Sequence, residues 1–203
     1  MALFSTAYWA PISYYQIAAQ SDFVHIELFE RYQKQSYRNR CIVLSANGPL
    51  SLVIPILRPH DGFIRDIRID YSKPWMQTHW RAIEAAYRSS AYFEEFAPEI
   101  SQVYNKEHPF LLDFNTKVWE LSLTLLGASI PWGFTERFTP PSNNSDDYRS
   151  AIHPKAKNKP DNLTLQPYFQ VFAHKYGFVP DVSILDLICN NYNSFRDKPL
   201  YSI

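Results

Sequence analysis

Cysteine and glycine are the scarcest residues for their chemical importance in this 203-residue chain, and each scarcity excludes a chemistry. Cys41 and Cys189 have no cysteine near them, so no C-x-x-C redox pair and no cysteine zinc site is spelled out. Reduced thiols of a cytoplasmic protein are the expectation. Five glycines stand against 15 prolines, and the chain holds no G-x-G-x-x-G, P-loop, G-x-S-x-G elbow or H-E-x-x-H helix. No motif therefore names a cofactor. The histidines at 25, 60, 79, 108, 153 and 174 have no metal-ligand spacing, and no metal is expected. Neither sign of charge is in excess, with 20 basic and 20 acidic residues and a pI near 7.0, which argues against a nucleic-acid partner. No apolar run reaches the ~18 residues of a transmembrane helix. Met1 to Ser21 carries no charge, but Pro11 and its many hydroxyl groups do not suit a signal peptide.

What the chain does have is ring area. Hydrophobic residues make up 46% and aromatics 16%, enough to build a sizeable core. Leu3 to Trp9 reads as a strand, Pro11 as the first turn of a helix running to about Gln20, and Phe23 to Ile26 as a second strand. Ile42–Leu44 and Leu50–Ile56 flank Asn47-Gly48-Pro49, a hairpin whose proline suggests a loop longer than two residues. Alternation in Arg65 to Tyr71 predicts a further strand. Trp75, His79, Ile83 and Tyr87 recur every four residues on one helix face, and a second helix is expected over 92–104. Leu111, Phe114, Val118, Leu121 and Leu125 predict a core helix stopped by Gly127. The expected fold is a single mixed α/β domain over 1–203. A sheet of about five strands carries the helices, and a long proline-rich loop at 139–163, read as mobile, precedes a C-terminal helix at Ser183.

The chemistry-bearing segment is Glu27 to Arg40. Two carboxylates, Glu27 and Glu30, precede Arg31, Lys34, Arg38 and Arg40, with Tyr, Gln and Asn39 between them. Guanidinium forks and an ammonium at this density suit a phosphate or carboxylate, such as a nucleotide-sugar or an acyl carrier. The same cations equally suit a solvated loop paired with Glu27 and Glu30. His79 is the candidate acid/base, with a hydrogen-bonded core histidine as its alternative. Arg88 at a helix end and Asp186 at a helix start complete the candidate substrate-binding set of Lys34, Arg38, Asn39, Arg40, Arg88 and Asp186.

Four stretches, 32–41 (YQKQSYRNRC), 67–90 with its IRIDYSKPWMQTHW and AYRSS elements, 109–126 and 176–187 (YGFVPDVSILDL), resemble the WbqC-like family of bacterial proteins. The resemblance implies a role in surface polysaccharide, O-antigen or lipopolysaccharide synthesis, as a transferase of glycine, an aminoacyl group or similar onto an activated sugar or its carrier. The competing reading is a non-catalytic binding or assembly protein of the same pathway. Phe29 stands where the family pattern Glu-x-His-Glu has a histidine.

Overall fold

The computed structural model describes residues 2–58, 62–141, 146–155 and 165–191. It is a mixed α/β fold, but its strands form two small sheets, not one of five strands. β1 (Ala2–Phe4), β2 (Val24–Ile26) and β5 (Trp132–Phe134) are parallel in the order β1-β2-β5. β3 (Arg40–Ser45) and β4 (Gly48–Val53) form a separate antiparallel hairpin. The expected strand at 65–71 is absent. Ile64–Asp66 is a 3₁₀ turn, and Ile69 donates its N–H to Pro109 just ahead of a helix, so this backbone is satisfied without a ladder. β5, which has no alternating signature, supplies the third parallel strand.

The hairpin turn is tighter than expected. Ser45 pairs with Gly48 across a two-residue loop, and Gly48 takes φ +96°, which a side chain would resist. Pro49 lies inside β4, an edge strand where a missing N–H is tolerated.

α1 (Ile12–Ala19) links β1 to β2 and is buried from Ile12 through Ala18, so it lies within the core, not on it. Trp9, before it, is fully buried at φ +39°, a conformation rare for a bulky residue. It is held there by bonds from Ser183 Oγ to its carbonyl and from its Nε1 to Tyr104 Oη. α2 (Trp75–Tyr87), α3 (Phe93–Gln102) and α4 (Leu111–Leu126) follow, then α5 (Ala173–Tyr176) and α6 (Ile184–Asn191), which touches α1 to α4 and β3. No helix among the described residues is long and apolar enough to cross a membrane.

Residues 146–152 of the proline-rich stretch are seated on the body. Leu3 donates to the Asp146 carbonyl at 2.8 Å, and Tyr148 donates to the Leu3 carbonyl at 2.9 Å. Within the stretch, 142–145 and 156–163 lie outside the described residues.

α4 ends as expected, with Gly127 left-handed at φ +60° and Ala128 bonded back to the Leu123 carbonyl. Its buried stripe, however, passes through Ser122 and Leu125, and Leu121 is only half-buried. One substitution type therefore separates the two positions. Leu125→Ala should lose about 2–5 kcal/mol in urea unfolding, and Leu121→Ala about 1 kcal/mol. Equal losses would contradict this helix register.

Candidate functional site

Parallel sheets direct ligand sites to the carboxyl ends of their strands. Here the residues just past those ends are Ser5, Glu27 and Thr135, and all three enter one buried ionic network. Glu27 is fully buried. Its Oε1 accepts from Thr135 Oγ1 and the Phe29 N–H, each at 2.9 Å, and its Oε2 accepts from the Thr139 N–H. Glu30 faces Arg38, a guanidinium only 2% exposed. Nε donates to Oε1 at 2.9 Å and Nη2 to Oε2 at 2.5 Å, while Ser5 Oγ accepts from Nη2 at 2.6 Å. A second arginine comes from the seated stretch. Arg149 grips Asp147 through Nε and Nη2, donates to the Thr139 carbonyl, and stands 3.5 Å from Glu27.

The segment that carries Arg38 is anchored from several sides. Tyr8 N–H donates to the Tyr37 carbonyl, Asn115 Nδ2 to the Arg38 carbonyl, and Ser36 Oγ to the Gln33 carbonyl. Asn39 clamps Ile54, accepting its N–H and donating Nδ2 to its carbonyl.

Two cavities flank this segment. The first, about 430 Å³, is lined by Glu30, Gln33, Asp147, Arg149 and the rings of Phe29, Phe63 and Phe138. The second is an open cleft of about 1160 Å³ lined by Tyr32, Lys34, Gln35, Asn39, Arg40, Val53, Ile54 and Arg58. Lys155 reaches its edge, bonded to Gln35. Two polar atoms of cleft-lining residues lack a partner among the described residues: Asn39 Oδ1, in a residue that is 5% exposed, and Arg40 Nε. The Lys155 N–H donates to His153 Nδ1. Burial and the charges of Arg38, Lys155 and Arg40 lower the pKa of His153.

Lys34, Asn39 and Arg40 thus meet in one cleft, as the sequence suggests. Arg38 does not join them, because Glu30 and Ser5 hold its fork. Arg88 is exposed at the end of α2. Asp186 is buried apart from these residues, accepting from Tyr168 Oη at 2.5 Å and Gln170 Nε2 at 2.8 Å; burial pushes its carboxyl up to about 6.

His79 is a core residue, 4% exposed. Its Nδ1 is 2.9 Å from Tyr8 Oη, Tyr8 bonds Tyr104, and the ring packs edge-on against Trp75. Burial lowers it to about 4, opposed by a bond to the Val53 carbonyl, so at neutral pH it is an uncharged link behind the cleft wall. Cys41 is buried as well, and desolvation raises its thiol despite the nearby arginines. Sequence reasoning missed Arg58, His153, Lys155 and the Asp147–Arg149 pair. All of these but Arg58 lie in a stretch whose composition reads only as loop.

The chain belongs to the WbqC-like protein family, whose model matches residues 7–160. It is also similar to the uncharacterized protein Rv1507c of Mycobacterium tuberculosis, with 28% identity over 189 residues, covering 79% of this chain and 80% of that protein. No solved structure matches it. The matched region contains β2 to β5, the ionic network apart from Ser5, and both cavities, and ends before α6.

His79 and Asp186 act in opposite senses on acid stability. His79, depressed from 6.5 to about 4, contributes stability that is full above pH 6.5 and lost as pH falls toward 4, at most about 3 kcal/mol. Asp186, raised from 3.8 to about 6, makes the fold less stable as pH rises through 6. Melting at pH 7.5 and 5.0 should therefore show a smaller acid loss in His79→Gln than in the native chain, and a larger one in Asp186→Asn. Identical losses in all three proteins would contradict both assignments.

Proposed function

We propose that this protein is a transferase of bacterial surface polysaccharide synthesis that grips a phosphate-bearing activated sugar in the cleft of Lys34, Asn39, Arg40 and Arg58. The observation that carries the reading is a contrast within one short segment. Arg38 is held by a carboxylate, while Lys34 and Arg40 line an open cleft with Arg58, and Arg40 Nε has no acceptor among the described residues. Charged forks without carboxylate partners suit phosphate oxygens. The Arg40 Nε needs an acceptor and Asn39 Oδ1 needs a donor, and a phosphorylated polyol brings both. Both atoms are sealed from solvent in this arrangement, so a ligand reaches them only when the cleft wall moves.

In this reading a glycyl, aminoacyl or similar group is transferred on the activated sugar. An amine or hydroxyl of the sugar attacks the carbonyl of an activated acyl donor, the donor's leaving group departs with the electron pair of the broken bond, and solvent takes the proton lost from the attacking amine or hydroxyl. His79, sealed in the core, has no part in it. His153, beside the cations, is the titratable group positioned to respond to a bound phosphate. Buried free thiols at Cys41 and Cys189 support a cytoplasmic setting. The second reading, a non-catalytic binding protein of the same pathway, is favoured by one observation: Glu30 and Asp147 are each held by an arginine, and Glu27 has Arg149 beside it.

Calorimetric titration with pyrophosphate tests the grip. Lys34→Ala/Arg40→Ala should weaken binding at least about tenfold and make it less salt-sensitive. Arg38→Ala should instead lower stability by about 3–5 kcal/mol, because it strands Glu30 as a buried charge. Native-like pyrophosphate affinity in the double variant overturns the reading of the cleft. Tight binding of nucleotide-sugars with no group transfer to any amine or hydroxyl acceptor would favour the second reading.

A further inference from the structure

We propose that the 430 Å³ cavity holds the heterocyclic base of a nucleotide whose phosphates occupy the cationic cleft. The proposal rests on the reading of the cleft as a phosphate site and adds a second, chemically different half. Phe63 and Phe138 are 41% and 48% exposed, and with Phe29 they present three rings to one concavity. Such a cluster of open rings beside polar groups marks a recognition site. Two guanidiniums stack against the rings. The Arg65 guanidinium lies 4.6 Å from the Phe29 centroid and 5.6 Å from that of Phe63, and Arg31 also sits over Phe63. Aromatic and guanidinium planes together form the surface on which nucleobases stack, whichever base is present.

The exposed lining is mostly apolar, which suits the faces of a ring system, and its few polar groups can meet the edge of a base. Gln33 accepts from Arg38 through Oε1, which leaves its amide N–H groups as the donors it can offer a ligand. Ser150 adds a hydroxyl that both donates and accepts. An acyl chain would leave the Gln33 amide and the Ser150 hydroxyl unmatched. The volume is at the small end of the ~300–1,000 Å³ usual for ligand pockets, enough for a ring system and not for a whole nucleotide-sugar.

Position supplies the link between the halves. Arg31 and Gln33 line the aromatic cavity, and the intervening Tyr32 and the following Lys34 line the cleft. The alternation of an extended chain places the two sites on opposite sides of one segment. The segment from Asp147 to Lys155 accompanies both, touching the first cavity at Asp147 and Arg149 and the edge of the second at Lys155. A base on one side and phosphates on the other would be joined by the ribose across the turn at Lys34 and Gln35. This separates a nucleotide-activated sugar from a sugar held on an acyl carrier.

The test compares four ribonucleoside diphosphates, their parent nucleosides and pyrophosphate by calorimetric titration of the native chain, Phe63→Ala and Phe138→Ala. At least one nucleoside diphosphate should bind about tenfold or more tightly than pyrophosphate. Phe63→Ala should remove most of that advantage and leave pyrophosphate affinity unchanged, and Phe138→Ala serves as the second variant should the first not fold. Equal affinity for pyrophosphate and all four nucleotides, or an advantage indifferent to both ring substitutions, overturns the base site while the phosphate cleft stands. Nucleoside binding that depends on Phe63, with no pyrophosphate binding, overturns the joined nucleotide and the cleft reading but retains an aromatic ring site. No binding of any of these compounds overturns both.

Discussion

The Arg38–Glu30 pair is the interaction on which the rest of the site depends. A guanidinium and a carboxylate are both withdrawn from water here, an arrangement that costs several kcal/mol per ion unless every polar atom is met. The structure meets them from three directions. Ser5 comes from the end of β1, Glu30 follows the end of β2, and Gln33 closes the remaining side of the fork. These fixed partners hold the 28–40 segment against the sheet. Arg149 extends the same logic, since its bond to Asp147 and its approach to Glu27 tie the 146–150 stretch to the strand ends. Both cavities are bounded by segments fixed in this way.

A stack of neutral hydrogen bonds supports the segment from beneath. Trp9 Nε1 donates to Tyr104, Tyr104 bonds Tyr8, and Tyr8 meets His79 Nδ1. With its other ring nitrogen turned to the Val53 carbonyl, His79 is the terminal acceptor of the chain and must stay uncharged for the chain to run in one direction. Tyr8 also donates its backbone N–H to Tyr37, so the core chain and the cationic segment share a residue. The left-handed Trp9 fits this account: its strained backbone lets one residue serve the Tyr104 bond and the Ser183 bond together.

Much of this was legible in the sequence where the signal is local. The 3.6-residue period located α2 and α4, Gly127 marked the end of α4, and Asn47-Gly48 located the hairpin. The cation-rich run located the cleft through Lys34, Asn39 and Arg40. What was not legible depends on distant partners. Leu121 and Ser122 compete for one helix face, and only the packing of α4 selects Ser122, whose hydroxyl is satisfied by the Val118 carbonyl. The 64–71 backbone does not join the first sheet because it finds its partners in Pro109, Leu111 and the 55–57 backbone. Arg38 and Arg40 look alike in sequence. Glu30 distinguishes them, and its side-chain direction is not written in the spacing.

That distinction is the chemical basis of the site. A cluster in which every cation were paired would be a structural network, and one in which none were paired would be a solvated surface. Here burial divides the cations. Arg38 lies where a free guanidinium would be too costly and is neutralised by Glu30, whereas Lys34 and Arg58 remain at the surface, where water keeps them charged at little cost. Arg40 lies between these limits, half-buried with Nε facing no acceptor among the described residues. An anion entering the cleft would supply that acceptor and lower the mutual repulsion of Lys34, Arg40, Arg58 and Lys155. The binding energy would come from this relief and from the new hydrogen bonds, with Arg38 remaining as a fixed strut.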